Sequence, residues 1–503
     1  MRLPFPERFS LVAALFFAIV ICGVEQLQGT NIVFSICAFL FIIVATLAFN
    51  LAGGFIRPTG SYIFFYSFGV IAGLSGKAVL GEAADTHLLV PNLTMEVFLG
   101  GISAMLASVF LARKLTRKKP FLQNVVKTKD MQNATIGSMV TGFTILISLQ
   151  YLPRENGSVI TALSQLNKFL DLSIILGTIH QIYKTQGRSS FNPLVFFTIV
   201  MSSLWGVVLF SKEGMFGPIF CWLIAAASMR YKVSWSQIIA GVVFGYVLIH
   251  FLVPFAQVGR TAPSTSDRVG RAFSLLTKIG EIQQTYTKQL EEQYSADMGG
   301  GYYNHPEGLL DRLEILSPDD ALINATERGK PFGLEPIQLE FLNLIPHVFY
   351  PTKPTVAFGN LYAHEIGGLI GEEDFTTGIS FSPSGDGYHM AKWVGVLLVA
   401  PIIWTMLFTN FDSLCGDVRQ SPWGLLMIVV YAHSAPEGML GAPIYMMGFT
   451  TITLVVAAYT SAHIMPLIGT LLFGPEKTHG DRRSFSSFAM RQGLPIASSS
   501  RDA

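Results

Sequence analysis

The stretch Ile345-Pro-His-Val-Phe-Tyr-Pro-Thr-Lys-Pro354, followed by Gly359-Asn360 and by Ser382-Pro-Ser-Gly-Asp-Gly-Tyr388, closes a long polar segment before apolar sequence resumes at Trp393. The segment runs from Gln257 to His389 and separates a long series of apolar runs from a shorter one. Read as a single insertion, it decides the fold: one membrane domain interrupted by a folded cap. Most of the charge outside short loops lies in it, so chemistry is expected there too.

Over the whole chain half of all residues are hydrophobic, only 13% are charged and mean hydropathy is +0.47, far from an average soluble domain. A helix needs about twenty mainly apolar residues to cross a bilayer. Such runs predict an all-α polytopic membrane protein with helices at 9–24, 31–52, 61–79, 94–112, 134–152, 159–183, 193–210, 214–229 and 235–255, then 391–409, 421–435 and 440–460, about twelve in all. The two helices meeting at Ser211 to Gly214 require a very tight turn. The partition is therefore a membrane region over 1–256, a cap over 257–389, a second membrane region over 390–473 and a disordered tail over 474–503. Within the second region, 461–473 is a further apolar piece expected to lie along the membrane interface. Phe9 to Val24 lacks a small-residue cleavage site and reads as the first membrane helix rather than a signal peptide.

Lys and Arg concentrate in cytoplasmic loops. With Arg2 and Arg8 inside, the basic segment Arg113 to Lys129, then Lys184, Arg188, Arg230, Lys232 and Arg419, all fall on the same side. Intervening loops carry almost no positive charge. This pattern places 257–389 outside the cytoplasmic membrane and both termini in the cytoplasm. The cysteines Cys22, Cys37, Cys221 and Cys415 lie in or beside apolar runs without metal-ligand spacing and read as packing residues. No nucleic-acid signature, internal repeat, P-loop, GxSxG or dinucleotide fingerprint stands in the chain, and neither metal nor cofactor is expected.

Four sets of residues suit chemistry on an anionic ligand. Pro351 and Pro354 stiffen the backbone around Lys353, as Pro346 does before His347, which would fix a cation at the membrane surface; a solvated Pro-rich loop reads the same way. Arg260, Arg268 and Arg271 follow the ninth apolar run, and guanidinium forks match phosphate oxygens. Arg268 and Arg271 share a face if 266–276 is helical, and interfacial anchoring is the plainer reading. Lys212-Glu213 sits between two apolar runs, where an ionisable residue must pair or face water. Glycosyl transfer needs a group to take the acceptor proton and positive charge for the departing phosphate. Asp311, Glu314 or His347 could supply the first and Arg312 could join the second, although most acids of an exposed domain simply keep it soluble. His305, His364 and His389 lack ligand spacing and read as surface or packing residues.

Ser211-Lys-Glu-Gly-Met-Phe-Gly-Pro218 leading to Arg230-Tyr-Lys232, Arg312-Leu-Glu-Ile-Leu316, and Pro346 to Pro354 with Ser382 to Tyr388 before the return helix carry a family likeness. The chain resembles the oligosaccharide repeat unit polymerases (Wzy-type, O-antigen polymerase family) of bacterial inner membranes. Asp386-Gly-Tyr388 matches the acid-x-Tyr of that family with Asp for Glu, and Lys212 stands where members commonly carry an arginine. The resemblance implies a membrane glycosyltransferase of GT-C-like architecture. It would transfer glycan from a polyprenyl pyrophosphate donor onto another lipid-linked repeat unit at the periplasmic face, for O-antigen, capsule or exopolysaccharide synthesis. On that reading Lys212, Arg260, Arg268, Arg271 and Lys353 surround the pyrophosphate, Arg312 with Asp311, Glu314 or His347 lies at the reacting sugars, and Asp386 and Tyr388 bind sugar. Membrane lipids, a chain-length regulator and a flippase are the expected partners. A ligase passing finished glycan to an acceptor, and a flippase for lipid-linked sugars, remain open. The latter needs charges deep in the helices, for which Glu25, Lys168 and Asp171 are the candidates, the last two one turn apart and expected to pair.

Overall fold

The computed structural model describes residues 1–122, 130–151, 167–260, 265–295, 301–308, 310–345, 349–350, 352–354, 356–367, 373 and 377–474. His347, Lys127, Lys129, most of the Gly-rich loop before Tyr302, and the tail after Gly474 lie outside them. Among these residues there is no strand, only the isolated bridges Arg2 to Lys232 and Phe381 to Gly438.

Among the described residues nine α-helices precede the cap: α1 (Leu11–Leu27), α2 (Ile32–Ala52), α3 (Pro58–Leu80), α4 (Pro91–Leu115), α5 (Met131–Tyr151), α6 (Phe169–Lys184), α7 (Pro193–Val208), α8 (Lys212–Ser228) and α9 (Trp235–Gly259). Polar residues set their starts. Ser10, Asn31, Asn192, Ser211 and Ser234 each accept a hydrogen bond from a first-turn N–H, and Ser234 with Gln237 forms a reciprocal capping box. The tight turn between α7 and α8 exists: Phe210 takes φ 53°, and the backbones of Gly206 and Gly214 touch where no Cβ would fit.

The cap holds α10 (Thr265–Leu276), α11 (Ile279–Ser295), α12 (Leu316–Arg328), α13 (Glu335–Asn343) and α14 (Phe358–Ile366). The chain then returns through α15 (Pro383–Val394), a π-turn and α16 (Ala400–Cys415), followed by α17 (Pro422–Glu437), α18 (Gly441–Tyr445), a second π-turn, α19 (Thr451–His463) and α20 (Met465–Phe473).

Among the described residues six stretches are long and apolar enough to cross a membrane: Ile32–Ala52, Pro58–Leu80, Pro91–Leu115, Trp235–Gly259, Pro383–Cys415 and Gly441–Phe473. This is a helical membrane protein. Among the described residues helices stand at the places read from the sequence, but α1, α6, α7, α8 and α17 have only 16 or 17 residues, short of a full crossing. Two boundaries differ from expectation. The return helix begins at Pro383, capped by Ser382, and breaks at Ala391 and Lys392, the latter at φ 50°, before continuing from Trp393. A Ser-Pro start outweighs the two glycines that read as loop, and the first half folds back until Gly387 touches Gly395. Residues 465–473 do not lie alone: α20 runs antiparallel to α5, with Met465 against Gly137 and Gly469 against Asn133.

Buried aromatic rings fill the centre. Tyr62 meets Tyr431 edge-on at 5.2 Å and Phe408 at 5.5 Å, and accepts a 3.3 Å hydrogen bond from Trp404 Nε1. The cap is seated on α3, where Gly69, Gly73 and Gly76 let Ile315, Glu314 and Tyr303 approach the helix backbone. Lys77, fully buried, ties this seat with bonds to Glu82 (2.7 Å) and Thr86 (2.9 Å) beneath the Tyr302 ring. The four cysteines are free and buried.

Candidate functional site

Adjacent aspartates of α12 fasten the cap to the membrane helices. Asp320 accepts from Leu89 N–H (2.5 Å), Val90 N–H (3.0 Å) and Thr94 Oγ1 (2.8 Å), capping α4. Asp319 accepts from Ser382 N–H (2.9 Å) and from the Ser382 hydroxyl, holding the start of α15. Burial pushes the Asp319 carboxyl up to about 7 against these bonds, and raises Asp320 in the same way. Neither residue stands out in the sequence, because a buried Asp-Asp pair looks like any solvated acidic pair.

At the cap end of α8 and α9, separated parts of the chain bring cations together. The charges of Arg312 and Arg260 both bear on the Lys212 ammonium at the start of α8, as does the opposite charge of Glu437 at the end of α17. Arg312 is oriented by the Tyr286 hydroxyl of α11 (2.6 Å) and by Gln257 Oε1 (3.3 Å). Among the described residues none of Lys212, Arg260 and Arg312 forms an ion pair. Arg268 and Arg271 share a face of α10, as the spacing predicts, and Arg271 donates to Val258 O (2.9 Å), drawing α10 onto the end of α9.

Lys353, expected with this group, sits elsewhere. Its Nζ donates to Asn343 O (3.0 Å) and Ile345 O (2.8 Å) past the end of α13, where an ammonium satisfies helix carbonyls, and its charged neighbour is Glu340. Asp311 accepts from the Glu307 and Gly308 N–H groups (2.7 and 2.9 Å), and Glu314 from Leu316 and Ser317 (2.8 and 3.0 Å). Both carboxylates thus shape local turns. Burial raises Glu314 to about 7, although its two backbone bonds pull the other way. Tyr388 is buried against Ile323, Val97 and Val396 and donates to Glu327 (2.9 Å), which pairs with Lys392 (2.9 Å). His389 packs between Phe332 and Tyr362 with Thr326 Oγ1 at 2.9 Å, as a packing histidine should. At the end of α6, the Lys168 charge bears on Asp171.

Two cavities meet at the turn joining α17 to α18. The larger, about 370 Å³, is an apolar groove between α17 and the α18–α19 helix, lined by Leu426, Val430, Met446 and Leu454. Lys168, Glu213 and His433 also line it, Glu213 being next in sequence to Lys212. The smaller, about 150 Å³, is lined by Glu340 of α13, Phe358 and Gly359 of α14, and Asp386 of α15. Gly438 and Ala442 line both cavities. The turn is strained at Met439 (φ 51°) and is held by the Leu440 N–H donating to Asp386 Oδ2 (2.7 Å).

No family model, curated protein or solved structure matches the chain. The site must speak through its own geometry. Its parts are a cationic cluster at Lys212, an apolar groove lined by the adjacent Glu213, and a small carboxylate-lined cavity across one turn.

Proposed function

We propose that this protein is a membrane glycosyltransferase that polymerises lipid-linked oligosaccharide repeat units, taking its donor as a polyprenyl pyrophosphate at the periplasmic face of a bacterial inner membrane. The observation that carries the reading is that the charges of Arg260 and Arg312 bear on the Lys212 ammonium, next to Glu213, which lines the apolar groove. Cations held close together repel one another, and an arrangement of this kind is favourable when an anion occupies it. Two arginines and a lysine suit a diphosphate, whose departing charge they would stabilise without a metal. The groove, of a size and apolarity for part of a lipid chain, supports a headgroup-and-tail ligand over a free nucleotide or sugar phosphate.

The test is product length in cells lacking the chromosomal copy and carrying variants. Lys212→Ala and Arg312→Ala should reduce polysaccharide to single repeats, while Tyr286→Phe, which removes a bond to Arg312 but no charge, should leave long chains. Full-length product from both alanine variants at normal protein levels would refute the assignment. Long chains retained on the carrier lipid would instead identify a ligase.

A further inference from the structure

We infer that the 150 Å³ cavity is the acceptor subsite and that Asp386 Oδ1 takes the proton of the attacking sugar hydroxyl. This rests on the glycosyltransferase reading and goes beyond it by naming the base. Asp386 is 2% exposed and its two oxygens have different surroundings. Oδ2 accepts from Leu440 N–H, whereas Oδ1 accepts no hydrogen bond of good geometry among the described residues, the Tyr362 hydroxyl being the polar neighbour of this carboxylate, and the side chain lines the cavity. A buried carboxylate oxygen left without a donor costs free energy unless a ligand supplies one. The cavity matches in size one that takes a six-membered ring. The Glu340 carboxylate and the Tyr362 hydroxyl stand near Asp386, acceptors and a donor for further hydroxyls. Five other carboxylates of the cap are spent on structure, Asp311 and Glu314 on turns, Asp319 and Asp320 on helix starts and Glu327 on Lys392, while Glu340 in the same cavity is engaged by Asn343 and the Lys353 charge.

The position relative to the groove makes the step possible. Gly438 and Ala442 form a wall common to both cavities, so an acceptor in one reaches a donor headgroup in the other. The acceptor O–H proton passes to Asp386 Oδ1 as its oxygen forms a bond to the donor's anomeric carbon. The bond from that carbon to the pyrophosphate oxygen breaks, and the electron pair leaves on the phosphate facing Lys212, Arg260 and Arg312. Attack from the opposite side inverts the anomeric configuration. The strained turn at Met439 holds Asp386 through the Leu440 N–H.

The experiment uses the full chain in lipid nanodiscs with lipid-linked repeat units extracted from polymerase-deficient cells, following chain growth against pH. Asp386→Asn can still accept from Leu440 and should fold, yet chain growth should fall about 10²- to 10⁴-fold. Asp386→Glu should recover part of it with a shifted acidic limb in the pH profile. Asp386→Asn retaining a tenth or more of the wild-type rate would overturn the assignment of the base and leave the glycosyltransferase reading standing. Wild-type protein that extends no chain at any pH would overturn that reading, and the inference with it. If Asp386→Asn does not fold, carbodiimide modification of the wild type decides. Asp386 should be modified, and free repeat-unit saccharide should protect it; modification unaffected by saccharide would refute the subsite.

Discussion

Replacing Asp320 by alanine removes the acceptor for Leu89 N–H, Val90 N–H and Thr94 Oγ1 at once, and the site is 2% exposed, so water does not readily replace it. Hydrogen bonds to a charged group contribute about 1.5–3 kcal/mol each, giving roughly 5–9 kcal/mol for three. Against this stands the cost of burying the carboxylate, several kcal/mol, which the mutation refunds. The balance is a loss of about 2–4 kcal/mol, in the range of a helix cap and a buried polar network removed together. Asp320→Asn, which keeps one oxygen acceptor in place, should lose about half as much. Two measurements check the reasoning: the unfolding midpoint of the detergent-solubilised protein, and thiol labelling of a Leu89→Cys reporter at the head of α4. The alanine variant should melt lower and label faster than the asparagine variant. An alanine variant with wild-type midpoint and unchanged labelling would show that the cap does not hold α4 through this residue.

The other two predictions concern the same attachment. Lys77→Met should destabilise by about 3–5 kcal/mol, because it breaks a buried pair whose partner Glu82 stays in place; adding Glu82→Gln should restore part of that loss, and additive effects in a double-mutant cycle would refute the coupling. Asp319 and Glu314 both stand raised to about 7, against about 4 when unfolded, so between those values the native state holds more protons. Their contribution to stability is complete below pH 4 and lost as pH rises through 7; resistance of the cap to protease should fall from pH 5 to pH 8, and Asp319→Asn should flatten its share. Resistance that grows with pH would contradict this.

The membrane class was legible because apolar runs are long and carry few charges, and the turn at Ser211 to Gly214 because only a tight connection fits between α7 and α8. The start of α15 was misplaced, since Ser382-Pro383 competes with two glycines and periodicity cannot weigh a cap against them. Among site residues, Lys212, Arg260 and Arg312 were each readable as cations near the membrane surface, but no spacing rule brings residues so far apart in sequence together. Lys353 illustrates the opposite case. Its proline neighbours are local in sequence, whereas the carbonyls it satisfies at the end of α13 belong to tertiary structure. Asp386 was flagged by a family likeness, while its orphan oxygen and the cavity beside it depend on α13, α14 and the α17–α18 turn.

The bonds from Asp319 and Asp320 to Ser382 and to Leu89, Val90 and Thr94 also constrain how the protein is made. During synthesis α4 enters the bilayer long before residue 320 leaves the ribosome, so the N–H groups of Leu89 and Val90 at its head wait without this acceptor. Only after the insertion has been translated and delivered to its side of the membrane can α12 close onto that helix, and the same step then starts α15. Chains truncated before α12 should therefore be poor folding intermediates and ready substrates for membrane quality control.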